Sequence, residues 1–168
     1  MNSFRARSRR WLVAALTLGA ALVPVVALVP VVAGPVRAAD RLIIETDAAR
    51  HVFAVEVARG AEAQARGLMF RRRLAADAGM LFLYDPPRPI VMWMRNTYIP
   101  LDMIFFAGDG RITRIVERAV PLSEARIPSG GAVRGVLEVN AGTAARLGIA
   151  VGDLLRHPAV AVAGARPR

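Results

Sequence analysis

The chain contains neither cysteine nor lysine. Without cysteine there can be no disulfide staple, no thiolate metal site, no thiol nucleophile and no cysteine redox chemistry. A fold built from this sequence must be held by its core alone. Without lysine every basic residue is arginine, a composition that fits a GC-rich genome better than a particular mechanism. Histidine is limited to His51 and His157, too few and too far apart for a histidine metal centre. No phosphate loop, dinucleotide fingerprint or zinc-ligand spacing is present, and no internal repeat. Ser123 and Ser129 do not sit in a nucleophile motif with an adjacent histidine.

Against these absences stands a strongly patterned N-terminus. Arg5, Arg7, Arg9 and Arg10 precede an uncharged run from Trp11 to Val36 rich in Leu, Val and Ala. A basic segment followed by an apolar one is an export signal, with the arginines held on the cytoplasmic side. Val36-Arg37-Ala38 places small residues at the −3 and −1 positions, so cleavage is expected after Ala38. An uncleaved anchor is the alternative, because the run exceeds a usual signal core, although Pro24, Pro30 and Pro35 oppose a stable spanning helix. Ser8-Arg9-Arg10-Trp11-Leu12 approximates a twin-arginine signal; the strongly apolar run favours the general secretory route. Residues 1–38 are therefore read as signal or anchor, 40–157 as one domain and 158–168 as a loose tail. The expected location is periplasmic or extracellular, with the membrane met only through the N-terminal segment if it stays attached.

Removing the signal changes the charge. The whole chain carries 23 arginines and 13 acids, a net +10. Five arginines and no acid precede Ala39, so the mature chain keeps 18 against 13, or +5. Those arginines alternate with acids along the sequence and form no stripe, which argues against nucleic acid as a partner.

About 120 residues are enough to bury a core without disulfides. Arg41–Thr46 and Val52–Ala58 have the β-branched composition of a strand pair. Ala61–Arg66 is a short helix ended by Gly67. Gly79–Tyr84, apolar on both faces, suits a central strand that the prolines at 86, 87 and 89 should terminate. Ile90–Met94 and Leu101–Phe106 follow as strands, and Gly108-Asp109-Gly110 turns into Ile112–Glu117. Arg118–Gly131, with two prolines, two glycines and no periodicity, reads as a long loop. Ala132–Val139 returns to strand, Thr143–Leu147 is a second short helix closed by Gly148, and a last strand lies near Leu154. The expected fold is mainly β with minor α: a single-domain β-sandwich or partly closed barrel with two short helices.

Several ordered motifs run through this domain. Arg66-Gly-Leu-Met-Phe-Arg71, Gly79-Met-Leu-Phe82, Trp93-Met-Arg-Asn-Thr97 and Ile99-Pro-Leu-Asp102 are followed by Val136-Leu-Glu138, Gly142 and Leu147-Gly-Ile-Ala-Val-Gly-Asp153. In residues and order the chain resembles the domain of unknown function 192 (DUF 192) family from about Leu42 to Leu155. Arg95 stands where that family usually has lysine, which preserves the charge. The resemblance implies a compact, mainly-β domain, often behind a signal peptide. It implies no activity, substrate or cofactor.

Arg66, Trp93, Asn96, Thr97, Asp102 and Glu138 are the polar or amphipathic members of these motifs. Brought together, they would line a pocket for a small polar ligand such as a sugar or a carboxylated metabolite. The structural alternative is a polar network that pins strand register, with Asn96 and Thr97 shaping a turn. Asp102 lies inside an apolar strand and needs a partner, for which Arg66, Arg71 and Arg95 are candidates. An enzymatic alternative makes Asp102 and Glu138 the acid–base pair of a hydrolase. A third places Cu(I) between the thioethers of Met92 and Met94, on one face of a strand, with Trp93 on the other. No cofactor is expected.

Overall fold

The structure, a computed structural model, describes residues 41–160; the segment read as a signal or anchor, the cleavage expected after Ala38 and most of the tail lie outside the described residues. The elements are β1 (Arg41–Glu45), β2 (Arg50–Ala58), α1 (Gly60–Arg66), β3 (Ala78–Met92) and β4 (Leu101–Phe106). After these come β5 (Ile112–Ala119), β6 (Ile127–Asn140), α2 (Thr143–Leu147) and β7 (Leu154–Arg156). The seven strands form one sheet in the order β5-β4-β6-β3-β2-β1-β7. Every pairing is antiparallel except β2–β3, whose parallel register requires the crossover that α1 supplies.

The sheet curls into a half-barrel, and its two outer strands meet at one corner. There Leu155 N–H donates to the Gly110 carbonyl, Ile112 N–H to Asp153 and Gly152 N–H to Ile112, each at 2.8 Å. Gly110 takes φ +87°, and a Cβ at that position would lie 2.4 Å from the Leu155 carbonyl oxygen. The corner therefore closes only with glycine at the end of the hairpin turn.

Alternation along the strands sends side chains to two faces, and both are buried. Inside the curl, Leu42, Ile44, Phe53, Val55, Leu81 and Leu137 belong to a core that runs on to Val160. On the outside, Met80, Phe82, Leu101, Met103, Phe105 and Val136 form a second core. All six residues of β4 are buried, as a strand covered on both sides demands.

The cover of the outer face departs from the sequence expectation in two places. The prolines do not end the central strand. β3 runs on to Met92 and stays paired with β6, with register shifts between Leu83 and Arg88 and again between Pro89 and Val91. Prolines are tolerated there because an irregular register does not require their missing N–H groups. The expected loop 118–131 is likewise strand from Ile127 onward, where Ile127 and Pro128 pair with Met92 and Val91. Ser129 fixes the irregularity: its hydroxyl accepts from Ile90 N–H at 3.1 Å and donates to the Gly131 carbonyl at 2.6 Å. This β3–β6 arm packs Ile90, Met92, Ile127 and Val133 into the second core.

Asp102 is fully buried, and its partners are not the expected arginines. Its carboxylate accepts backbone N–H groups from Arg118 at 2.9 Å, Gly142 at 3.0 Å and Ala144 at 2.9 Å. It thereby satisfies the otherwise unpaired start of α2 and ties that helix to β4 and β5. Asp102→Asn keeps the size but replaces one acceptor oxygen with a donor facing N–H groups. Urea unfolding at pH 7 should show a loss of about 3 kcal/mol; an unchanged midpoint would contradict this role.

Candidate functional site

Where α1, the outer face of the sheet and the folded β3–β6 arm meet, the cover is incomplete. A cleft of about 110 Å³ remains. Its floor is Phe82 and Glu138 from β3 and β6, one wall is Gln64 to Met69, and the other is Val91 to Trp93 with Tyr84 and Thr97. Short-range bonds set these walls. The Gln64 amide donates to the Leu83 carbonyl at 2.8 Å, which pins α1 to β3. Phe70 N–H donates to the Asn96 carbonyl at 2.8 Å, joining the segment after α1 to the turn after β3. The Tyr84 hydroxyl reaches the Met92 sulfur at 3.9 Å, spanning the bend within β3. Gly67 lets the wall approach, since a Cβ there would sit 3.1 Å from the Phe82 ring.

Glu138 is the chemical centre of the cleft. It pairs in register with Met80 on one side and Met103 on the other, so its stem stands between two buried thioethers. The side chain is 4% exposed. Among the described residues no hydrogen bond or ion pair reaches its carboxyl, whose oxygens are not sealed off but open onto the cleft. Desolvation pushes its pKa up to about 8, so the group is mainly the neutral acid at pH 7 and can both donate and accept. Burial also raises the Tyr84 hydroxyl, helped by the nearby Glu138 charge and opposed by Arg88. Arg66 is exposed at the rim, and the Arg95 guanidinium lies 4.7 Å from the centre of the half-exposed Trp93 ring.

Of the six residues proposed from sequence, the structure brings Arg66, Trp93, Thr97 and Glu138 to this cleft. Asn96 stands behind the wall, its amide 4.0 Å from the Met69 sulfur, and Asp102 lies on the opposite face of the sheet. Asn96 is exposed with φ 56°, a left-handed turn position that asparagine tolerates. Asp102 pairs with Val139 and Glu138 with Met103, so the two carboxylates project from opposite faces of the sheet. The hydrolase pair is thereby excluded: one carboxylate is used up by three backbone N–H groups in the inner core, and the other opens outward. The two methionines of the copper reading, Met92 and Met94, both belong to the second core. β3 ends at Met92, so strand alternation does not extend to Met94, which is fully buried in the second core. Met92 stands at the cleft wall with Met69 as the other thioether there. Among the described residues no cluster of His, Asp and Glu could hold a metal ion.

Sequence reasoning missed Gln64, Tyr84 and the apolar lining residues Leu68 and Phe82. Tyr84 was within reach, because Met80, Phe82 and Tyr84 recur at the strand period and so share a face. Gln64 carried no such signal.

The chain matches the family described as DUF192, an uncharacterized ACR, over residues 42–157. A crystal structure from Sinorhizobium meliloti 1021, provisionally described as a transcription regulator, is 50% identical with a TM-score of 0.68. The match covers 69% of this chain and 91% of that one, so a relative folds with little beyond this domain. A protein of unknown function from Novosphingobium aromaticivorans is 46% identical, also with a TM-score of 0.68, over 69% of this chain and 83% of its own. No curated protein matches the sequence.

The raised pKa of Glu138 makes stability depend on pH. Below about 4.5 the carboxyl is protonated folded or unfolded, and its burial carries no ionisation penalty. Between 4.5 and 8 only the unfolded chain ionises, so stability falls as pH rises and levels off above 8. Glu138→Gln should match the parent at pH 4 and exceed it by several kcal/mol at pH 9, at most on the order of 5. Denaturant titrations at both pH values check this; equal stability at pH 9 would contradict it.

Proposed function

The chain belongs to the DUF192 family, and from that premise we propose that it is an exported envelope protein that binds a small carboxylated ligand at Glu138. The observation that carries this reading is a buried carboxyl without a partner, opening onto a cleft. Leaving such a group unsatisfied is costly, and a ligand that hydrogen-bonds to it recovers the loss. The neutral acid offers a donor to a ligand carboxylate, and Arg66 at the mouth supplies a free guanidinium for the same anion. The cleft itself accommodates a ligand portion of on the order of six non-hydrogen atoms, since a cavity of ~150 Å³ takes benzene, and its open side lets a longer ligand extend outward. Export is supported by the arginine cluster before the uncharged run Trp11–Val36. In this reading the S. meliloti relative's description as a transcription regulator does not carry over, because an exported domain does not meet the chromosome.

Binding should depend on pH in a defined direction. The groups facing the cleft that titrate or carry charge are Glu138, Tyr84 and Arg66. Deprotonation of Glu138 replaces a donor with a repelling charge. Calorimetry with acetate, lactate and succinate should therefore show affinity falling about tenfold per pH unit above 8. Glu138→Gln should make the profile flat over that range, and Arg66→Gln should weaken binding about tenfold at every pH. A wild-type profile unaffected by Glu138→Gln, or binding of small amines in place of carboxylates, would overturn the reading.

A further inference from the structure

Eight large apolar side chains are exposed among the described residues, and six of them lie in three neighbouring segments. Phe70 follows α1, Val91, Trp93 and Tyr98 lie at and beyond the end of β3, and Val120 and Leu122 lie between β5 and β6. The segments are physically joined. Leu122 N–H donates to the Thr97 carbonyl at 3.1 Å, Met94 N–H to Ser123 at 2.9 Å, and the Phe70 and Tyr98 rings meet edge to face at 6.2 Å.

Two of these side chains are held outward by unusual backbone. Phe70 has φ 66° and is 55% exposed; Leu122 has φ 62° and is 57% exposed. A bulky residue in the left-handed region is strained, and here the strain leaves an apolar side chain in solvent.

Charge is distributed in the same way. The segments 66–73, 91–98 and 118–128 hold seven arginines against Glu124 alone. The described residues total 16 arginines and 12 acids, so the remainder has nine against eleven. The three segments that carry the apolar patch are thus basic, while the remainder of the described domain is slightly acidic. One guanidinium, that of Arg71, is taken by Glu56 through two hydrogen bonds. Others lie over the aromatics, Arg72 at 6.0 Å from the Tyr98 ring centre and Arg95 at 4.7 Å from Trp93.

We infer that this face docks onto an anionic lipid surface, with Phe70, Trp93, Tyr98 and Leu122 entering the interface and the surrounding arginines meeting lipid phosphates. Trp and Tyr with arginines beside them suit the headgroup region, where ring and cation share one environment. A basic rim adds attraction to anionic lipid that neutral lipid does not supply. Nucleic acid fits less well, because the aliphatic Val91, Val120 and Leu122 gain nothing from bases or phosphates and two of the rings already carry arginines. The inference does not rest on the ligand reading at Glu138, although Val91 and Trp93 also line that cleft.

The test uses residues 39–168, which contain both cores and lack the apolar N-terminal run; Trp93 is then the sole tryptophan. With vesicles of phosphatidylcholine containing phosphatidylglycerol, the domain should co-float and Trp93 emission should shift to the blue. Pure phosphatidylcholine should retain at least fivefold less protein. Phe70→Asn with Leu122→Asn installs residues that tolerate the left-handed backbone, so the fold should melt no earlier while flotation falls at least fivefold. Equal binding to neutral vesicles, or a double variant that floats like the parent, would overturn the inference. So would an absence of flotation together with either tight oligonucleotide binding or a lipid-free blue shift that rises with protein concentration, the latter marking a second copy as the occupant.

Discussion

A sheet whose two faces are both apolar cannot leave either in water. The strand β4 is buried at every position, and Met80, Phe82, Met103 and Val136 would all be wet on the outside of the curl if nothing lay over them. Most of the remaining architecture follows from that requirement. The parallel β2–β3 pair brings a crossover with it, and Leu68, in the segment that follows α1, becomes one part of the cover. The extended β3–β6 arm becomes another, with its prolines where the register is already irregular. The cover is assembled from short pieces, and the gap between them is the cleft.

Two acids are buried in this domain by different means. Asp102 faces the inner core and is supplied with three backbone N–H groups, so it serves as a structural fastener for α2. Glu138, one strand away on the opposite face, has apolar neighbours and an opening. The first arrangement uses its hydrogen-bonding capacity within the fold, and the second leaves it available. Residue type alone could not separate them. Each lies in an apolar strand, and their difference comes from which side of the sheet each side chain leaves.

This is also where reading the sequence reached its limit. Strand period and composition identified β1, β2, β4, both helices and the closing glycines, because each depends on local patterning. The arm was hidden because prolines are strong local breakers, and their tolerance at a bulge depends on a partner strand some forty residues away. Four of the six polar candidates meet at one cleft since Arg66, Trp93, Thr97 and Glu138 are carried by the elements that cover or form the outer face. Asp102 was misplaced because its partners are backbone groups from β5 and the start of α2, which carry no side-chain signature. The basic character of segments 66–73, 91–98 and 118–128 lies in the sequence itself, whereas their adjacency shows only in the hydrogen bonds that join them.

The central claim is that the Glu138 carboxyl is the neutral acid at pH 7, held so by its position between apolar neighbours and exposed to the cleft. Its side-chain carboxyl carbon, followed by nuclear magnetic resonance through a pH titration of the folded domain, reports that proton directly. The account predicts a single transition near pH 8. A transition at the ordinary value for a glutamate, near 4.5, would contradict it.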